Sequence, residues 1–278
     1  METLLQALKL VGQGAVYLAC LAWLAWRSER RRGEDAFHLV VVYAAGVWMV
    51  SMLVERLGVS SVLAVIAAAA PVFFLEEWWS NRKSFRPAND HSLTQILVLA
   101  SLALTLYDWA TSHTAVSLPI QSGDARSLAL TSGVFAVLGI LLLDRTRAGA
   151  LLRLGVENRW AMEYWSRPLP QRSFLWLALG FLCWLPVLTI PLATTGILNS
   201  TILKDAAIAV LIARVGSTRG PIILLAIALT LAGLRTAAGF AVLSNAGPPM
   251  VEAMVFLCML LWLRYRSSRT PWEKRDAH

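Results

Sequence analysis

Few residues in this sequence have the type and spacing to do chemistry. Glu76 and Glu77 stand together at the end of an apolar run and lead into Trp78-Trp79-Ser80-Asn81-Arg82. A carboxylate pair at such a position would suit acid–base work by an intramembrane protease. That chemistry also needs histidines at membrane depth on later segments, and His91 and His113 fall in loops. The two glutamates are therefore expected at a solvated helix end, facing Arg82 and Lys83 at helical spacing. No GxxxxGK[ST], HExxH or GxSxG pattern is present, so any ATP that drives this protein is hydrolysed by another chain. Cys20, Cys183 and Cys258 all fall inside apolar runs without CxxC spacing and read as small core residues. The four histidines, His38, His91, His113 and His278, are scattered along the chain. Neither a metal site nor a cofactor site is expected from them.

Five further charges stand out because their surroundings are apolar: Asp108, Lys204, Asp205, Arg235 and Glu252. A charge inside a bilayer costs at least ~2.5 kcal/mol on insertion scales, so such residues normally face protein or water and find partners. One reading is mutual pairing, for instance Arg235 with Glu252 across adjacent antiparallel helices. The other is that they line a polar path, with Lys204 and Arg235 meeting a carboxylate or a polar amide at its outer mouth.

The elements that must hold these residues follow from composition. Of 278 residues, 57% are apolar and 15% charged, where a soluble domain carries about a quarter charged. That balance requires lipid. Nine apolar runs can be drawn, at 10–26, 38–54, 58–76, 93–110, 127–143, 173–190, 201–213, 221–243 and 249–263. Each reads as a helix, and the expected fold is all-α: one polytopic membrane domain over 1–278 with eight or nine crossings. The run at 201–213 is short enough to be a half-helix.

The net charge of +8 does not point to nucleic acid, because the basic residues cluster between apolar runs. Loops after odd-numbered runs, with the tail, hold Arg27, Arg30, Arg31, Arg32, Arg82, Lys83, Arg86, Arg145, Arg147, Arg153, Arg159, Arg167, Arg172, Arg214, Arg219, Arg264, Arg266, Arg269, Lys274 and Arg275. These are 20 of the 25 Lys and Arg. Retention of basic loops on the cytoplasmic side then gives an outside N-terminus, an inside C-terminus and nine crossings. The first run ends on Arg27 as a stop-transfer signal does, and it is expected to stay attached. Trp23, Trp26, Trp78, Trp79, Trp176 and Trp262 lie at run ends beside basic clusters, where anchoring at the headgroups and packing are both served.

The inner loop 144–172, DRTRAGALLRLGVENRWAMEYWSRPLPQR, is too polar to cross. Leu151, Leu152, Leu154, Val156, Trp160, Ala161 and Tyr164 recur at steps of three and four, which predicts an amphipathic helix over about 148–164, closed by Pro168 and Pro170. Such a helix rests on anionic lipid or docks into a partner. Arg145-Thr146-Arg147-Ala148-Gly149, then Leu152-Arg153, then Glu157-Asn158-Arg159 with Ala161, resembles the cytoplasmic coupling loop of permeases in the branched-chain amino acid, hydrophobic amino acid and urea family of ATP-binding-cassette (ABC) transporters. Glu76 or Glu77 followed by Phe85-Arg86-Pro87 is similar to that family's upstream segment. Lys204-Asp205-Ala206, Ala209-Val210-Leu211 and Gly216-Ser217-Thr218-Arg219-Gly220 are similar to its downstream run. The order holds from residue 76 to 264. Two departures stand out: Ser28-Glu29-Arg30-Arg31-Arg32-Gly33-Glu34 replaces the family's Asn-Phe-Ala-His-Gly type of stretch, and Ala213-Arg214 replaces a double glycine.

The resemblance implies a permease subunit in a bacterial inner membrane that takes up amino acids or related small polar solutes such as amides or urea. Its implied partners are a second homologous permease, two cytoplasmic ATPase subunits and a periplasmic binding protein, within the lipid bilayer. Arg153, Glu157, Asn158, Arg159 and Ala161 would make the ATPase contact. Asp108, Lys204, Asp205, Arg235 and Glu252 would line the path. The competing expectation is a non-transporting structural or assembly subunit of a membrane complex.

Overall fold

A computed structural model describes residues 2–32, 37–81, 100–103, 105, 123–146, 174–194, 200–216, 221–240, 253–258 and 261. Among them lie seven long helices: α1 (Glu2–Arg32), α2 (Phe37–Glu55), α3 (Ser61–Asn81), α4 (Gly123–Arg145), α5 (Phe174–Thr194), α6 (Ser200–Gly216) and α7 (Pro221–Phe240). No described residue is in a strand, so the all-α expectation holds for what is described. Each helix coincides with one apolar run, and the described residues inside the runs 93–110 and 249–263 are helical as well.

Helix ends differ from the sequence expectation where polarity and helix propensity diverge. Helix α1 starts at Glu2 and continues through Ser28-Glu29-Arg30-Arg31-Arg32, because Glu and Arg are good helix formers and no Gly or Pro intervenes between Trp26 and Gly33. Helix α6 reaches 17 residues, about 25 Å at ~1.5 Å per residue. Two segments, Ala7–Arg27 and Ser61–Trp78, are long and apolar enough to cross a bilayer. The apolar stretches of four other helices, Leu39–Glu55, Ser127–Leu143, Trp176–Thr189 and Ile222–Leu234, are shorter.

The chain turns between α2 and α3 at Gly58, whose φ of 62° is left-handed and open to glycine at little cost. There the Val59 N–H donates to the Leu53 carbonyl at 3.1 Å, and α3 begins with Ala64 N–H on the Ser60 carbonyl at 2.9 Å. This makes α2 and α3 an antiparallel hairpin.

Two helices form the centre of the bundle. In α1 every side chain from Tyr17 to Arg27 is buried, and in α6 every one from Ala206 to Ala213. A helix that is buried on all faces needs neighbours on all sides, and α1 is packed by α7, α6, α5 and α4, with lesser contact to α2 and α3. Small residues permit the closest approaches. A Cβ at Gly46 of α2 would lie 2.7 Å from Leu188 of α5 and 2.9 Å from Val72 of α3. Gly139 of α4 abuts Leu179 of α5, and Gly133 abuts Pro186, so these two helices run antiparallel. The C-terminal ends of α1 and α3 and the N-terminal half of α5 meet at one end of the bundle. Hence α1, α3 and α4 run one way, and α2 and α5 the other.

Candidate functional site

Polar groups inside an apolar bundle must be satisfied by one another, and those on α1 form two clusters. The first is at the end where α1, α3 and α5 meet. Arg27 has no exposed side-chain surface, although it is the last residue before a polar stretch. Its Nη1 lies 3.6 Å from Glu76 Oε2 of α3, and its Nη2 donates to Glu77 Oε1. Glu76 is 1% exposed and Glu77 13%. From α5, the Trp184 indole N–H donates to Glu76 Oε2 over 2.8 Å. Three rings surround the guanidinium: Trp23 at 5.7 Å, and Phe73 and Trp176 at 5.5 Å. A cation beside aromatic faces is attracted by the ring quadrupoles, most strongly when desolvated. Gly180 of α5 completes the enclosure, since a Cβ there would collide with the guanidinium.

This cluster corrects two sequence expectations and, of the anchoring and packing expected of the tryptophans, bears out packing. The glutamates are buried against Arg27 and do not form a solvated helix end; Arg82 and Lys83, expected to face them, lie outside the described residues. Arg27 itself belongs to the interior and not to the basic loop. Trp23, Trp26 and Trp176 are core residues, with Trp176 at 5.1 Å from Trp23 and 6.2 Å from Trp26, ring centre to centre. Trp78 alone among the described tryptophan side chains at these run ends stays exposed, at 52%. The signal that could have found the cluster is the pairing of one arginine with two carboxylates at like-sided ends of two apolar runs. The rings at Trp23, Phe73 and Trp176 then lie within a turn or two of those ends.

The second cluster lies ten residues back along α1 from Arg27, about 15 Å at ~1.5 Å per residue. Tyr17 Oη donates to Asp205 Oδ2 of α6 at 2.9 Å and lies 2.7 Å from Tyr43 Oη of α2. A tyrosine has one hydroxyl proton, and Tyr17 gives it to the carboxylate, so Tyr43 must be the donor in the tyrosine pair. Lys204 is buried to 4% exposure, and Asp205 keeps partial exposure.

Of the sequence-derived path residues, the structure thus sets Lys204 and Asp205 inside the bundle and adds Tyr17 and Tyr43, which the sequence reading did not select. Arg235 is a helical residue of α7 whose side chain is not among those described. Asp108 and Glu252 lie outside the described residues. So does the loop beyond Thr146 with Arg153, Glu157, Asn158, Arg159 and Ala161. Cys20 and Cys183 are buried as expected, whereas Cys258 is exposed, because the described helical turn around it presents Leu257 and Cys258 outward.

The first cluster holds its carboxylates with a guanidinium and an indole N–H, and the second holds one with a tyrosine hydroxyl. Among the described residues no group of three or more metal-ligating side chains comes together. Comparison with protein-family models, with curated proteins and with solved structures returned no match.

Proposed function

We propose that the chain is a membrane-spanning permease subunit of an ABC transporter, of the amino acid and urea uptake type, working in a bacterial inner membrane. The observation that carries this reading is the polar seam along α1. Arg27, Glu76 and Lys204 are buried, and Asp205 part-buried, in a bundle whose other described buried residues are apolar apart from the hydroxyls of two tyrosines and a few serines and threonines. Ionisable groups in such surroundings usually mark a solute or ion pathway. Helix direction supports multiple crossings too. Helices α3 and α4 run parallel, so a chain that keeps both in the bilayer recrosses between residues 81 and 123, where the apolar run 93–110 stands. With the run at 249–263 the proposed topology has nine crossings, and the basic loops favour a periplasmic N-terminus and a cytoplasmic C-terminus.

In this mechanism two ATPase subunits close on ATP and push the 148–164 segment. That segment is followed, after residues 165–173, by α5, which carries Trp176, Gly180 and Trp184, the groups that enclose Arg27 and hold Glu76. Movement of α5 would therefore act on α1 and α3 together. The path opens between this chain and a second permease, and a periplasmic binding protein delivers the solute.

Two results are expected from this reading. Reporter fusions at His278 and within 113–125 should report opposite compartments; the same compartment at both sites would rule out nine crossings. Reversing charge at Glu157 and Arg159 together should leave the chain in the membrane but uncouple ATP hydrolysis from transport. ATPase binding and coupling at the parent level after that double reversal would assign the helix to lipid contact instead.

A further inference from the structure

The sequence holds no CxxC pair, yet the fold brings two thiols together. Cys20 stands seven residues before Arg27 on α1, and Cys183 seven residues after Trp176 on α5. Seven residues are about two turns, so each cysteine lies on the helix face of the residue it is counted from. Those two faces are packed together where the Arg27 guanidinium lies 5.5 Å from the Trp176 ring. Because α1 and α5 run in opposite directions, two turns back on α1 and two turns on along α5 reach the same level of the bundle. The thiols meet there, with the Cys20 and Cys183 side chains in hydrogen-bond contact. Both are free thiols without exposed surface. The charged groups that act on Cys183 are Arg27 and Glu76.

Two adjacent thiols can share a metal ion with no change of oxidation state. Which ion they suit follows from ligand number and softness. Zinc in a structural site takes four ligands, and calcium and magnesium take about six or more oxygens. Among the described residues no group of three His, Cys, Asp or Glu side chains closes on an ion. Two facing thiolates are instead a ligand set for copper(I), which is soft and is satisfied by two sulfurs in a line. We propose that Cys20 and Cys183 form a copper(I) site that joins α1 to α5 inside the bundle. Each S–H bond breaks as an S–Cu bond forms; two protons pass to water, copper stays in the +1 state, and the bis-thiolate carries one negative charge. The bound ion ties the helix that bears Arg27 to the helix that bears Trp176, Gly180 and Trp184. The site goes beyond the permease reading and does not depend on an ATPase partner.

The test is anaerobic copper(I) uptake by the purified full chain in detergent, against a bathocuproine competitor. It is made in a Cys258→Ser background, because Cys258 is an exposed thiol that would compete. About one copper(I) per chain should resist the competitor, with release of protons on binding, and Cys20→Ala or Cys183→Ala added to that background should each abolish the uptake. The copper absorption edge of the loaded chain should show two sulfur neighbours in a linear arrangement. Uptake that survives either alanine variant would overturn the proposal. So would the absence of resistant uptake in the Cys258→Ser chain, or a copper spectrum with nitrogen, oxygen or more than two sulfur neighbours. The spectrum is recorded with Cys20 and Cys183 intact, which keeps the test decisive if an alanine variant does not fold.

Discussion

Arg27→Met is expected to destabilise the protein by about 3–5 kcal/mol, the range seen when one partner of a buried ion pair is removed. The substitution fills a similar volume and keeps apolar contact with Trp23, Phe73 and Trp176. What it takes away is the cation beside Glu76, which stays buried with the Trp184 indole N–H as its hydrogen-bond donor. A buried carboxylate left in that condition is costly, and the cost is removed by neutralising it. The triple variant Arg27→Met, Glu76→Gln, Glu77→Gln should accordingly recover most of the loss, since a buried ion cluster replaced as a whole is often close to neutral. The measurement is thermal unfolding of the detergent-solubilised chain. A single variant as stable as the parent, or a triple variant no better than the single, would contradict the described cluster.

Gly180→Ala is expected to destabilise by about 1–3 kcal/mol, the usual cost of overpacking a closed site. Intrinsic propensity argues the other way, because Ala is favoured over Gly in a helix by about 1 kcal/mol. The clash should win, because the guanidinium in the way cannot swing aside. Two carboxylates hold it and three rings confine it. Gly12→Ala and Gly233→Ala supply the control, since a Cβ at either meets nothing within 4 Å, and both should be neutral or stabilising. Equal behaviour of all three variants in the same unfolding assay would show that Arg27 does not press on Gly180.

The helices were legible in the sequence because runs of apolar residues carry a strong local signal, and seven runs each coincide with one long helix. The polar seam was only half legible. Lys204 and Asp205 stood out because charge in an apolar run is locally visible, yet their neighbours Tyr17 and Tyr43 did not, since a tyrosine in such a run looks like packing. Arg27 was misread for a definite reason. A basic residue at the end of an apolar run has the same local pattern whether it faces the headgroups or turns inward. What decides is the presence of Glu76 and Glu77 on another helix, 50 residues on. The tryptophans share that ambiguity, because an indole beside a basic cluster is equally suited to an interface and to the face of a buried cation. Burial of α1 on all sides was equally hidden, as an apolar run records that a helix avoids water and not whether lipid or protein replaces it.

The proposed permease role is tested most directly by isolating the chain, tagged after His278, from the native membrane in mild detergent. The account predicts recovery of a complex with a second permease-like chain and ATPase subunits that carry a GxxxxGK[ST] loop, with vanadate-sensitive ATP hydrolysis that falls to the uncoupled level when Glu157 and Arg159 are reversed together. Recovery of the chain alone, or in a stable assembly that contains no nucleotide-binding subunit and hydrolyses no ATP, would contradict it and assign the bundle a structural role.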